Sequence, residues 1–173
     1  MPCVLTSNMT LGCRDSVGGI KTVYITELAN KDTITSSAGV ITAFELATGK
    51  KFWQYDLTKE TAEFTEKPTP SLENGTLFYD TELKISLMKR DVTKRNEIHL
   101  LAQNPLMIII LDKNGLYWLM GEANGADLVP SESKSGKASG DFNGYALVFN
   151  AKEAQPMNTV QSSLIPDLLI AAS

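Results

Sequence analysis

The chain has 173 residues, 43% of them hydrophobic, enough to bury one proper core as a single domain. Its 16 basic residues stand against 20 acidic ones for a formal net charge of -4, which argues against sequence-specific reading of nucleic acid, a task that wants a basic patch. The longest apolar runs, such as 106–111, are far too short to span a bilayer, and residues 1–8 show neither the basic n-region nor the long apolar h-region of a secretory signal.

Residues 1 to about 19 contain Gly12, Gly18 and Gly19 and no sustained periodicity, the mark of an N-terminal arm. Both cysteines, Cys3 and Cys13, lie in it, and without a secretory signal they read as free thiols rather than a bridge. Asn8-Met-Thr10 and Asn74-Gly-Thr76 match the glycosylation acceptor pattern, which matters only in a secretory pathway. Ile20 to Leu28 is rich in β-branched and aromatic residues and predicts the first strand. A polar loop follows over 30–37, then a second strand over Val40 to Leu46 and a turn at 48–51.

The stretch from Phe52 to Gln103 reads as a long β-hairpin followed by one capped helix. Its first arm, Phe52 to Phe64, sets Trp53, Tyr55 and Leu57 in one alternating set. The second arm, Thr76 to Leu87, alternates more strictly. Leu77, Tyr79, Leu83, Ile85 and Leu87 point one way, and Thr76, Asp80, Glu82, Lys84 and Ser86 the other, the signature of one buried and one wet face. Between the arms, Thr65 to Gly75 carries Pro68, Pro70 and Asn74-Gly75 and predicts a loop. Asp91 is placed to N-cap a helix over about 91–103, bearing Val92, Ile98, Leu101 and Ala102, which Asn104-Pro105 stops.

Leu106 to Asp112 is an apolar run of strand length. Asn114-Gly115 accepts the positive φ of a tight turn, and Leu116 to Met120 returns as the partner strand. Both arms look apolar on each face, which places this hairpin under the helix or inside a subunit contact. Glu122 to Gly140 reads as a long loop, Phe142 to Asn150 as the last strand. The tail from Gln161 carries Leu164, Ile165, Leu168, Leu169 and Ile170, too apolar for a free tail, and predicts docking on the same or a neighbouring subunit. The sum is a mainly β single domain with one helix and no internal repeat.

Little in the chain points to catalysis. The single histidine, His99, sits in the helix beside Leu100 and Leu101 with no sequence-local ligand partner, and reads as structural. No Gly-x-Ser-x-Gly elbow occurs. Ser135-Gly136-Lys137 lacks the upstream glycine and the following Ser or Thr of a phosphate loop. Asp112-Lys-Asn-Gly115 begins like a calcium loop, but the later ligands are missing and a hairpin turn accounts for it. The expectation is no enzyme, no cofactor and no metal. Asp56, Glu60, Glu63, Glu66, Glu73, Asp80 and Glu82 cluster within about thirty residues, either as an ordinary solvated sheet face or as a wall that repels polyanions.

Two segments carry a family resemblance. Leu11-Gly-Cys-Arg-Asp-Ser-Val-Gly-Gly-Ile-Lys-Thr-Val-Tyr-Ile25 and Gly140-Asp-Phe-Asn-Gly-Tyr-Ala-Leu-Val-Phe-Asn-Ala-Lys-Glu-Ala-Gln-Pro156 resemble segments of the major tail tube proteins of long-tailed, siphovirus-like bacteriophages, in particular those infecting Bacteroidetes. The order of elements fits their plan, and the resemblance implies a β-sandwich or barrel-like tail tube fold with a long β-hairpin and one helix. The resemblance implies a single tail-tube domain over 1–173, with arms at about 1–19 and 157–173. It implies hexameric rings stacked into a hollow tube that conducts DNA during ejection, located in the virion tail and assembled in the host cytoplasm. Partners would be further copies of the chain, the tape-measure protein and transiting DNA in the lumen, and tail terminator and baseplate proteins, with no membrane. Asp80, Glu82, Glu63 and Asp56 are then candidates to face the lumen; Pro68, Pro70, Leu72, Leu164, Ile165 and Leu168 are candidates for contacts between rings. The alternatives are another virion component, such as a tail terminator, head-tail connector or capsid decoration protein, or a cellular β-sandwich binding module.

Overall fold

A computed structural model describes residues 4–170. The strands are β1 (Ile20–Glu27), β2 (Lys31–Ser37), β3 (Val40–Leu46), β4 (Trp53–Asp56), β5 (Glu63–Ser71), β6 (Thr76–Met88), β7 (Leu106–Asp112), β8 (Tyr117–Met120), β9 (Ala126–Lys134), β10 (Gly144–Glu153) and β11 (Asn158–Val160). Helix α1 (Val92–Leu101) lies between β6 and β7, and a one-turn helix α2 (Ile165–Leu168) follows β11. The protein is mainly β, as its alternating segments predict, with a second very short helix that they do not.

All the strands join one sheet, in the order β2-β3-β11-β8-β7-β9-β10-β6-β5, with β1 on the other side of β7 and β4 outside β1. The link from β7 to β9 is a single pair, Leu106 with Ala126. There the sheet folds over, so that β9-β10-β6-β5 covers one face of the part built on β7. Gly121 sits at this corner with φ +77°, and a Cβ on it would stand 2.6 Å from both the Leu106 carbonyl oxygen and the Ala126 nitrogen. Only glycine fits.

Strand β7 is buried on both faces, which its unbroken apolar run requires. Ile108 and Ile110 enter a first core with Val23, Ile25, Leu83, Ile85, Leu147 and Phe149, drawn from the two facing walls. Met107, Ile109 and Leu111 enter a second core on the opposite face, with Ile41, Phe44, Phe52, Ile165 and Leu168. Helix α1 starts where Asp91 accepts a hydrogen bond from the Lys94 N–H at 2.8 Å, and it closes one end of the first core with Ile98 and buried Leu101. Val92, expected on its apolar side, is 72% exposed.

Three segments expected to be loops are strands. Residues 31–37, 65–71 and 126–134 lie in β2, β5 and β9. Each lies at a free edge of the sheet or is paired along most of its length on one side only, so its sequence carries no full apolar face. The long hairpin is accordingly β5 with β6; the expected first arm splits, and β4 pairs with β1 instead. Prolines misled here. Pro68 and Pro70 are two residues apart, so their nitrogens share one side of β5. The register to β6 runs through both, which puts that side at the outer edge, where no donor is needed.

Candidate assembly surfaces

The register of β9-β10-β6-β5 decides which side chains share its outer face. Glu63 pairs with Lys84, Lys67 with Asp80, Asn150 with Glu82 and Lys152 with Asp80. Asp127 lies opposite Asn150, Glu132 opposite Ala146, and Lys134 opposite Gly144. Three of the four expected lumen-facing residues, Glu63, Asp80 and Glu82, are therefore brought together on one solvent-facing surface. Asp56 is not among them. It stands on β4, paired with Thr22 of β1, on the other part of the sheet.

That surface is acidic in net by a single charge. Its five carboxylates (Glu63, Asp80, Glu82, Asp127, Glu132) are interleaved with four lysines (Lys67, Lys84, Lys134, Lys152). Lys84 lies 3.0 Å from Glu82 and 3.8 Å from Glu63, and the hydrogen bond to Glu82 holds its ammonium above the ordinary lysine value. Asp80 accepts a hydrogen bond of 2.6 Å from the Asn150 amide. Carboxylates that look like a run in sequence are diluted by lysines from neighbouring strands, which only the register reveals. A cross-linked, nearly neutral face projects little long-range field.

The hairpin reaches well past the core. Thirteen residues of β6 span about 43 Å at the usual rise per residue. Over Thr81, Leu83, Ile85 and Leu87 the inner face is buried, as the alternation predicts. Beyond Thr81 the same face continues as Tyr79 and Leu77, opposite Pro68 and Pro70, and emerges from the body; Leu77 is 52% exposed. The residues 154–157 pass beneath it at Glu66, whose carboxylate accepts the Met157 N–H at 2.7 Å. At the tip, Leu72 is 98% exposed in a turn closed by Gly75 at φ +63°. Pro68, Pro70 and Leu72 thus form an exposed apolar tip.

The C-terminal residues assigned to ring contacts behave otherwise. Ile165 and Leu168 are 4% and 3% exposed in the chain's own second core, and Leu164 packs at its margin. Phe52 fastens the segment on both sides, its N–H donating to the Leu168 carbonyl at 2.8 Å and its carbonyl accepting from Ile170 N–H at 3.3 Å. Ile165 and Leu168 are therefore core residues of their own subunit. Burying them there covers the second face of β7 together with Ile41, Phe44 and Phe52.

The remaining concavities offer little chemistry. A cleft of about 310 Å³ lies between β8, the 121–125 corner and the 153–158 segment that joins β10 to β11. Its carboxylates are engaged: Glu153 accepts the Ala123 and Asn124 N–H groups at 3.1 and 2.9 Å, and Glu122 accepts from Asn158 at 2.8 Å. A second, larger groove of about 540 Å³ separates β4 from α1. His99 is exposed on α1, 3.3 Å from Gln103. Cys13 is exposed, while Cys3 lies outside the described residues. Among the described residues no group of three or more His, Cys, Asp or Glu side chains is placed to hold a metal ion, and no helix is long and apolar enough to cross a membrane.

No protein-family profile, curated protein sequence or solved structure matches this chain.

Proposed function

We propose that this chain is a structural virion protein that assembles into stacked hexameric rings, forming the hollow tail tube of a siphovirus-like phage. The observation that carries the reading is the hairpin β5–β6. A solvated outer face and an apolar underside run together past the body of the molecule and end in the exposed Leu72. A monomer gains nothing from such a projection, whereas a neighbouring subunit buries the strip of Leu77, Pro68 and Pro70. The resemblance of segments 11–25 and 140–156 to tail tube proteins supplies the direction of the reading. In it, the outer face of β9-β10-β6-β5 lines the lumen, and its near neutrality keeps transiting DNA and the tape-measure protein from adhering. Catalysis and cofactors play no part.

Negative-stain electron microscopy of the purified protein across a range of concentrations tests this. Hollow tubes or stacked six-fold rings are the expected result. Single rings that never stack would instead point to a terminator or connector, and monomers throughout would favour a binding module. The substitution Leu77→Asp in the projecting strip should abolish stacking while leaving the monomer folded.

A further inference from the structure

Where glycine follows asparagine, the glycine nitrogen can attack the preceding side-chain carbonyl, because no Cβ stands in its way and its backbone turns freely. The attack needs that nitrogen and the asparagine Cγ in near-attack geometry, so a side chain held elsewhere does not react. The chain contains four such steps, at Asn74, Asn114, Asn124 and Asn143.

Three of them are held by the fold. Asn114 is tied to Val17 in both directions, its Oδ1 accepting the Val17 N–H at 2.8 Å and its Nδ2 donating to the Val17 carbonyl at 2.9 Å. The Gly115 N–H donates in turn to the Asp112 carbonyl at 3.2 Å. Asn124 donates from Nδ2 to the Lys152 carbonyl and from its backbone N–H to the Glu153 carboxylate, both at 2.9 Å, and Gly125 is buried against Pro105 and Leu28. After Asn143, Gly144 is buried in β10 and paired with Met88 on one side and Lys134 on the other. A Cβ there would stand 2.2 Å from the Leu87 carbonyl oxygen, so this nitrogen has no room to swing.

Asn74 is not held in this way. It lies exposed in the tip of the β5–β6 hairpin, and its side-chain amide reaches only the neighbouring Ser71 hydroxyl, at 3.2 Å. A Cβ on Gly75 would meet nothing within 4 Å, and the Gly75 N–H makes no backbone hydrogen bond among the described residues. Both reacting groups are open to water.

We propose that Asn74 is a self-modifying site, which Gly75 converts to a carboxylate without any enzyme. The Gly75 nitrogen gives its proton to a solvent base and bonds to Asn74 Cγ. The Cγ–Nδ2 bond breaks, and Nδ2 takes up a proton and leaves as ammonia. Water then opens the five-membered imide. Attack at Cγ restores the ordinary backbone with aspartate at position 74, and attack at the main-chain carbonyl gives isoaspartate, which adds a methylene to the backbone. One water is consumed, one ammonia is released, and nothing is oxidised or reduced. The new carboxylate is ionised at neutral pH and stands next to Glu73 and the exposed Leu72, so the apolar tip gains charge with age. The inference does not depend on the tube reading.

The test follows the full-length protein, dilute and folded, through incubation in mildly alkaline buffer. Peptide mapping by mass spectrometry reads the exchange of amide for carboxyl at each of the four sites, and enzymatic methylation reads isoaspartate. Conversion at Asn74 should run at least about ten-fold faster than at the other three, a modest ratio beside the cost of misplacing reacting groups. In denaturant the four rates should converge. The variant Asn74→Gln, whose longer side chain closes a ring far more slowly, should keep the fold and lose the acidic species on isoelectric focusing. Equal rates in the folded protein, or faster conversion at any of the other three, would overturn the proposal. So would a spread of rates that persists in denaturant, or conversion at Asn74 that yields no isoaspartate.

Discussion

Replacing Leu168 by alanine separates two physical roles for the C-terminal segment. In the structure Leu168 is 3% exposed in the second core, beside a backbone tied to Phe52 through the Leu168 carbonyl. Truncating a buried leucine costs about 2–5 kcal/mol, the transfer of the lost carbons plus the residual cavity. Helix α2 is a single turn near the chain end and can settle inward, so the lower part of that range, about 2–3 kcal/mol, is expected. With a urea slope of roughly 2–3 kcal/mol/M for a chain of this size, the midpoint should fall by about 1 M, and Tm by roughly 5–10 °C. The assay is urea unfolding followed by fluorescence, run on protein dilute enough to be monomeric and repeated at several concentrations. The loss should be independent of concentration. An unchanged monomer midpoint combined with failed assembly would refute the reasoning and place Leu168 in an intersubunit contact instead.

Gly121→Ala forces a Cβ to within 2.6 Å of two backbone atoms at a positive φ, so the sheet corner must open; a loss of about 3 kcal/mol or more is expected in the same unfolding assay. The Tyr55 hydroxyl is pushed up to about 12, by burial first and then by the nearby Glu97 and Glu27 carboxylates. Folding thus favours the neutral phenol, and the associated stability is complete below about pH 10 and is lost as pH rises through about 12. Alkaline absorbance titration should show a late tyrosine that Tyr55→Phe removes, together with a flatter stability profile over that window. Pro68→Val with Pro70→Val restores two outward donors on β5, and light scattering should report sheet-edge association absent from the wild type.

Legibility along this chain followed burial. The strict alternation of β6 over 81–87 and the unbroken apolar run of β7 were readable because β6 packs one face on the core and β7 packs both. Asp91 as the cap of α1 was readable because capping is local chemistry. Strands β2, β5 and β9 were missed because edge strands owe their conformation to a neighbour's ladder and leave little pattern of their own. The acidic cluster misled for a related reason: spacing shows the carboxylates, but only the register brings Lys67 of the other hairpin arm and Lys152 of the distant β10 opposite Asp80 on either side.

A mainly β chain with a capped helix, a strand buried on both faces and an apolar tail that had to be covered can be read from the residues alone, because side-chain periodicity and local caps report burial and hydrogen bonding directly. Three outcomes appear only in the folded chain: the tail packs on its own β7, β4 pairs with β1, and the carboxylate row is largely neutralised across strands. Those outcomes depend on register and strand order, which arise from contacts between residues far apart in the chain.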